Sequence, residues 1–259
     1  MHWFTLAIEF LGALLVLFIV APLARLVLGV SSTEISAIIH DSELWESIAL
    51  TFRCAAIAVI CGVLFGIPLA YFLARSRFRG IALLQGIVDL PVMVPHSAAG
   101  IALLGVIGRH SFVQKAAAPL GIEFAGSEAG IAAAMAFVSI PFLVNAAREG
   151  FAAVPERLEK AARTLGASPS RVFFTISLPM AWRSILSGAA LMWGRGISEF
   201  GAVVIIAYHP MTAPVLVFQR FNDFGLTESR TAAATLILVT LVVFAILRII
   251  ARSTGRERR

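Results

Sequence analysis

Residues 148–179 read REGFAAVPERLEKAARTLGASPSRVFFTISLP, a polar and basic stretch inside an otherwise oily chain. Pro155 suits the first turn of a helix and Glu156 stands where the helix dipole favours an anion. Leu158, Ala161, Ala162 and Leu165 recur at i, i+3, i+4 and i+7 before Gly166 ends the run, which predicts a short amphipathic helix. Ser168 is placed to cap a second helix with Pro169 at its first position, and Leu178-Pro179 is expected to interrupt that helix before the next apolar span. A helix-turn-helix projecting from a membrane protein follows. A helix lying flat on the bilayer fits the same periodicity. Ala161, Ala162, Gly166 and Ala167, however, offer little bulk to lipid and would let a partner approach the backbone closely, which favours a docking element.

The rest of the chain supplies the membrane. Of 259 residues 59% are apolar and only 14% charged, and the mean hydropathy is +0.91, far outside the range of soluble domains. The connecting segments are too short for a soluble domain and nothing alternates as strands do, so residues 1–259 are expected to form a single transmembrane domain. Cys54 and Cys61, seven apart on one helix face, are expected to be small core residues without a disulfide role. The N-terminal apolar run has no basic leader and exceeds twenty residues, so it is expected to stay as the first span rather than act as a signal peptide.

Apolar windows of bilayer-crossing length fall near 6–28, 48–74, 86–107, 129–147, 183–207 and 230–250, giving six predicted spans. Lys and Arg number three, six and five in segments 75–85, 148–183 and 248–259, against none, two and two in segments 31–47, 109–128 and 207–230. The basic set is therefore expected in the cytoplasm, with both termini and the 148–179 loop. Topology accounts for most of the net charge of +6, so a nucleic-acid partner is not implied. Arg252, Arg256, Arg258 and Arg259, in the basic tail 251–259, are expected at lipid headgroups or beside a partner. The acidic outer loops are equally suited to a soluble binding protein or to plain solvation.

Ionisable residues inside a bilayer are functional candidates. Arg195 and Glu199, four apart, can neutralise each other, either as a packing ion pair or as part of a gate. Asp89 and His96 share a side of the third span, where Pro91 and Pro95 are expected to break the helix, and freed backbone groups there need a protein interior or a wetted cavity. No second ligand stands at metal spacing from His96, so a hydrogen-bonded packing role is the reading for it. Four-residue spacing of Gly62 with Gly66, Gly126 with Gly130, and Gly194 with Ser198 signals close helix contact. A dimer seam through Gly194, Gly196, Ser198 and Gly201 competes with ordinary packing within one chain.

Three stretches carry a family resemblance. Ala161-Ala162, Gly166, Ile176 and Leu178-Pro179 resemble the cytoplasmic loop signature of ABC importer permeases, with Lys160 at the motif's acidic place and Glu159 just before it. The segments Asp89–Leu104 and Arg195–Val204 are similar to the third and fifth spans of oxyanion permeases of the molybdate/tungstate branch, and sulfate/thiosulfate permeases are similar in the same two places. The resemblance covers most of residues 48–250. It implies an all-α type I permease fold with six transmembrane helices and a coupling helix. The implied assembly is a homodimer in the cell membrane, with two ATPase subunits on the cytoplasmic side and an external oxyanion-binding protein. It further implies that Glu159, Ala161, Ala162, Gly166, Leu178 and Pro179 engage the ATPase. ATP and Mg²⁺ would be used in that other chain, and no cofactor or catalytic residue is expected here. For the pathway or gate the candidates are His96, Ser97, Ser139, Arg195, Ser198 and Glu199, since a weakly polar path suits release of a divalent oxyanion better than a deep cationic trap.

Two other classes remain in view. A secondary transporter would want midplane carboxylates or an internal repeat, and neither is evident. An intramembrane enzyme would want a His-Glu-x-x-His, Gly-x-Ser-x-Gly or phosphate-cradling motif, and the sequence has none.

Overall fold

The computed structural model describes residues 2–253. Among these the chain is helical throughout, in the order α1 (His2–Leu28), α2 (Ser32–Ile39), α3 (Ser42–Arg75), α4 (Ile81–Met93), α5 (His96–Ile107), α6 (Phe112–Ala117), α7 (Glu128–Ala152), α8 (Glu156–Thr164), α9 (Pro169–Val172), α10 (Leu178–Ile197), α11 (Gly201–Ile206), α12 (Ala213–Phe224) and α13 (Leu226–Ser253). The side chains of the basic tail 251–259 lie outside the described residues, and with them the expected headgroup contacts.

Every predicted span has a counterpart, and two are broken. Among the described residues α1, α3, α7 and α13 are long and apolar enough to cross a bilayer alone, and α4 with α5 form a fifth, bent span that turns by 114°. The break expected between Asp89 and His96 falls at Val94 and Pro95, while Pro91, the other proline expected to break the span, stays inside α4. The fifth predicted span is also discontinuous: α10 ends at Ile197 and α11 begins at Gly201.

Small residues bring the central helices together. α7 is the core element, flanked by α3 and α10. Gly188 lies against the Leu143 backbone and Ala146, and Gly62 against Leu143 and Met192. Gly150 meets Ser184 near the start of α10, while Gly196 faces Met135, so α7 and α10 run antiparallel. Arg53 pairs with Glu128 at 2.5 Å, and Arg75 reaches the Val154 carbonyl at 3.1 Å, so α3 and α7 run parallel. The chain between them must therefore return across the bundle, and α4 and α5 make that crossing.

A second, smaller apolar cluster joins Leu44 and Ile48 of α3 to Ala213 and Leu216 of α12 and Ala232 of α13. Arg220 locks it from above with Asp41 at 2.5 Å and Glu43 at 3.0 Å, while Arg230 holds Glu34 at 3.0 Å. These pairs mark the end of the bundle opposite α8. α1, by contrast, is exposed along its whole apolar window, as a lipid-facing span would be. Cys54 is buried, but Cys61 is exposed, which corrects its expected core position: the buried row of α3 continues at four-residue spacing through Ala58, Gly62 and Gly66, and Cys61 falls beside it.

Candidate coupling loop and membrane site

The 148–179 loop has two faces. α8 begins after Pro155 and ends in a Schellman motif: Gly166 adopts φ +86°, its N–H donates to Arg163 at 2.9 Å, and Ala167 donates to Ala162 at 3.0 Å. Ser168 caps α9 by accepting the Arg171 N–H, with Pro169 in the first turn, as its sequence position suggested. Leu158, Ala161, Leu165 and Gly166 are all exposed, Leu165 at 88%. The apolar stripe thus points away from the bundle, which leaves it available to another surface.

Glu159 points the other way. It is the one buried side chain of α8. Its carboxylate accepts from Arg75 through Nη2 at 2.7 Å and Nε at 3.1 Å, and from the Ser177 hydroxyl at 2.7 Å. Burial pushes this carboxyl up, and the Arg75 and Ser177 hydrogen bonds more than offset it, leaving it below the usual carboxylate range. Glu156 instead sits outside, paired with Arg77 and Lys160, which hold its carboxyl low.

Leu178 and Pro179 do not interrupt the chain, contrary to expectation. Residues 173–177 form one turn of π-helix, and α10 follows without a gap. Pro179 has no N–H to give to the carbonyl four residues back, and the wider turn absorbs that loss. It also rotates Ser177 inward, onto Glu159.

Around the breaks in the membrane, three ionisable side chains meet. Arg195 donates from Nη2 to Glu199 at 2.8 Å, and the His96 ring lies against that pair, with Nδ1 2.9 Å from the Glu199 carboxylate and its two nitrogens 2.9 and 3.0 Å from Arg195 Nη2. Glu199 is 1% exposed, and its second oxygen accepts the Ala202 N–H at 2.8 Å, so it also starts α11. Gly201 and Gly100 make this possible: a Cβ on Gly201 would stand 2.7 Å from the His96 Cβ, and one on Gly100 2.9 Å from the Ala202 carbonyl.

The pathway candidates divide. Ser97 and Ser198 are exposed beside the half-buried His96 and Arg195, on one open face. Ser139 does not join them: it is fully buried in α7 and donates to the Met135 carbonyl, so its hydroxyl is turned into the core. Asp89 lies apart and accepts from Asn145 of α7 at 2.6 Å. Sequence reasoning missed Arg75, Ser177 and Asn145. Arg75 entered it only as one of the three cations of segment 75–85.

A helical bundle of bilayer-crossing spans, two of them broken at a shared polar cluster, with an anchored loop at one end, is the build of a membrane transport permease. The sequence of residues 62–256 matches the family described as the binding-protein-dependent transport system inner membrane component, and the chain belongs to that family of ABC importer permeases. It is 43% identical over 240 residues to the molybdate/tungstate transport system permease protein WtpB of Pyrococcus abyssi, covering 92% of each chain. A relative of the same description from Methanocaldococcus jannaschii is 40% identical over 83% of this chain and 85% of its own. The sulfate transport system permease protein CysT of Synechocystis is 30% identical over 91% and 85%. In structure, the chain is similar to a bacterial ABC transporter involved in the import of the acidic polysaccharide alginate, with TM-score 0.75 at 15% identity over 97% and 96% of the two chains.

Proposed function

We propose that this chain is the permease of an ATP-driven importer for molybdate or tungstate. It works as a homodimer in the cell membrane, with two ATPase subunits seated on the 148–179 loops and an external oxyanion-binding protein at the opposite end. The loop end and both termini face the cytoplasm, in line with the Lys and Arg distribution. ATP and Mg²⁺ are handled by the ATPase chain, and this chain translocates.

The observation that carries the cargo is the 43% identity to a molybdate/tungstate permease over 92% of both proteins, against 30% over 91% of this chain for one sulfate permease and 37% over 78% of it for another. Chemistry on the open face agrees. Arg195 can attract a divalent oxyanion, but Glu199 already neutralises the guanidinium, so the anion is passed on rather than trapped. Ser97 and Ser198 add neutral hydroxyls beside them.

Reconstitution of the permease with its ATPase and binding protein tests the assignment. ATP-dependent uptake of radiolabelled molybdate should be displaced by unlabelled tungstate and not by equimolar sulfate. Displacement by sulfate alone would move the cargo to the sulfate class, and uptake without ATP would remove the importer reading altogether.

A further inference from the structure

We propose that Arg75 and Ser177 are positioning residues that make α8 a rigid foot, so that a displacement of α8 enters α3 and α10 together. This rests on α8 being the surface that the ATPase moves.

The argument begins with what α8 lacks. It has nine residues, and its apolar stripe is turned outward, so hydrophobic burial does not hold it to the bundle. Its outer ion pairs, Glu156 with Arg77 and with Lys160, are solvent-exposed and contribute little. What remains is Glu159, and its two partners, Arg75 and Ser177, come from different elements. Arg75 is the last residue of α3 and spans the Glu159 carboxylate and the Val154 carbonyl at the end of α7. Ser177 is the last residue of the π-turn at the base of α10.

Beneath this clamp lies an aromatic floor. Tyr71 sits one turn before Arg75, with its ring 5.9 Å from the guanidinium. It meets Phe151 of α7 edge-on at 5.2 Å and Phe173 of the π-turn at 5.0 Å. The same elements that the polar clamp joins are therefore joined again by ring contacts, and a junction tied twice has little freedom to hinge. Motion has other outlets, the breaks at Val94-Pro95 and at residues 198–200.

Two measurements on the full complex test this. In a Cys54→Ala, Cys61→Ala background, nitroxides at Leu158→Cys and Phe78→Cys should give a narrow distance distribution that broadens in Arg75→Gln and, less, in Ser177→Ala. In proteoliposomes, Arg75→Gln should lower oxyanion imported per ATP hydrolysed about tenfold, the loss expected for one charge-assisted hydrogen-bonded partner. The exchanged pair Arg75→Glu with Glu159→Arg should recover part of it, which a merely destabilised protein would not do. Distributions as narrow in Arg75→Gln as in the parent, or an unchanged ratio of import to hydrolysis, would overturn the proposal. The nitroxide distances do not depend on cargo or ATP, so a parent complex that fails to import sinks the importer reading while the clamp is still judged by its own readout.

Discussion

Gly166 separates backbone from docking. Its φ of +86° is strained for any L residue, yet a Cβ there meets nothing within 4 Å in this chain. Gly166→Ala is therefore expected to cost about 1–2 kcal/mol, from the left-handed conformation alone. Gly166→Trp adds bulk only toward whatever sits on α8, and should abolish import while the protein still inserts. Uptake assays on both variants check this, and normal import by the Trp variant would contradict docking. Glu159 gives a pH prediction. Its folded pKa lies below its unfolded value, so the clamp's stabilisation is complete at neutral pH and is lost only in acid, as pH drops past the ordinary glutamate range and through the folded value. The spectrum of a nitroxide at Leu158→Cys should sharpen in that acid range and not between pH 8 and 6.

At the scale of helices, the close contacts of α7 rank the glycines. A Cβ on Gly188 would lie 2.8 Å from the Ala146 Cβ and 3.1 Å from the Leu143 Cα, where backbone must move. On Gly62 it would meet the far end of Met192 at 2.6 Å, a flexible side chain that can swing aside. Gly188→Ala is thus expected to destabilise by about 1–3 kcal/mol and Gly62→Ala by clearly less. Unfolding in mixed micelles measures both. Equal effects would mean that α7 and α10 are packed more loosely than these distances imply. The polar cluster makes a parallel case: Glu199→Ala removes both the Arg195 partner and the acceptor that starts α11. It should impair import more than Ser198→Ala, whose hydroxyl bonds only Arg195 of its own turn.

For the whole molecule, the parallel run of α3 and α7 fixes which ends share a side. Ala162 stands at the α8 end and Glu43 beside Arg220 at the other. A photocrosslinker at position 162 should capture the ATPase subunit in the assembled complex, whereas one at position 43 should capture only the binding protein. Capture of the ATPase from position 43 would invert the topology.

How much of this was legible without coordinates follows from range. Composition and apolar windows determine that the chain spans a membrane, because bilayer thickness sets a length that can be counted along the sequence. The capped loop was legible too, since Gly166, Ser168 and Pro169 act on their own backbone within a turn. The pair Arg195 and Glu199 could be read from four-residue spacing. Their meeting with His96, 99 residues from Arg195, could not, because it depends on α5 and α11 packing through Gly100 and Gly201. Nor could the inward turn of Ser139, the exposure of Cys61 or the clamp from Arg75 to Glu159, which spans 84 residues. Local spacing places a side chain on a face of its own helix. Only the packed bundle decides whether that face meets lipid, another helix or open space.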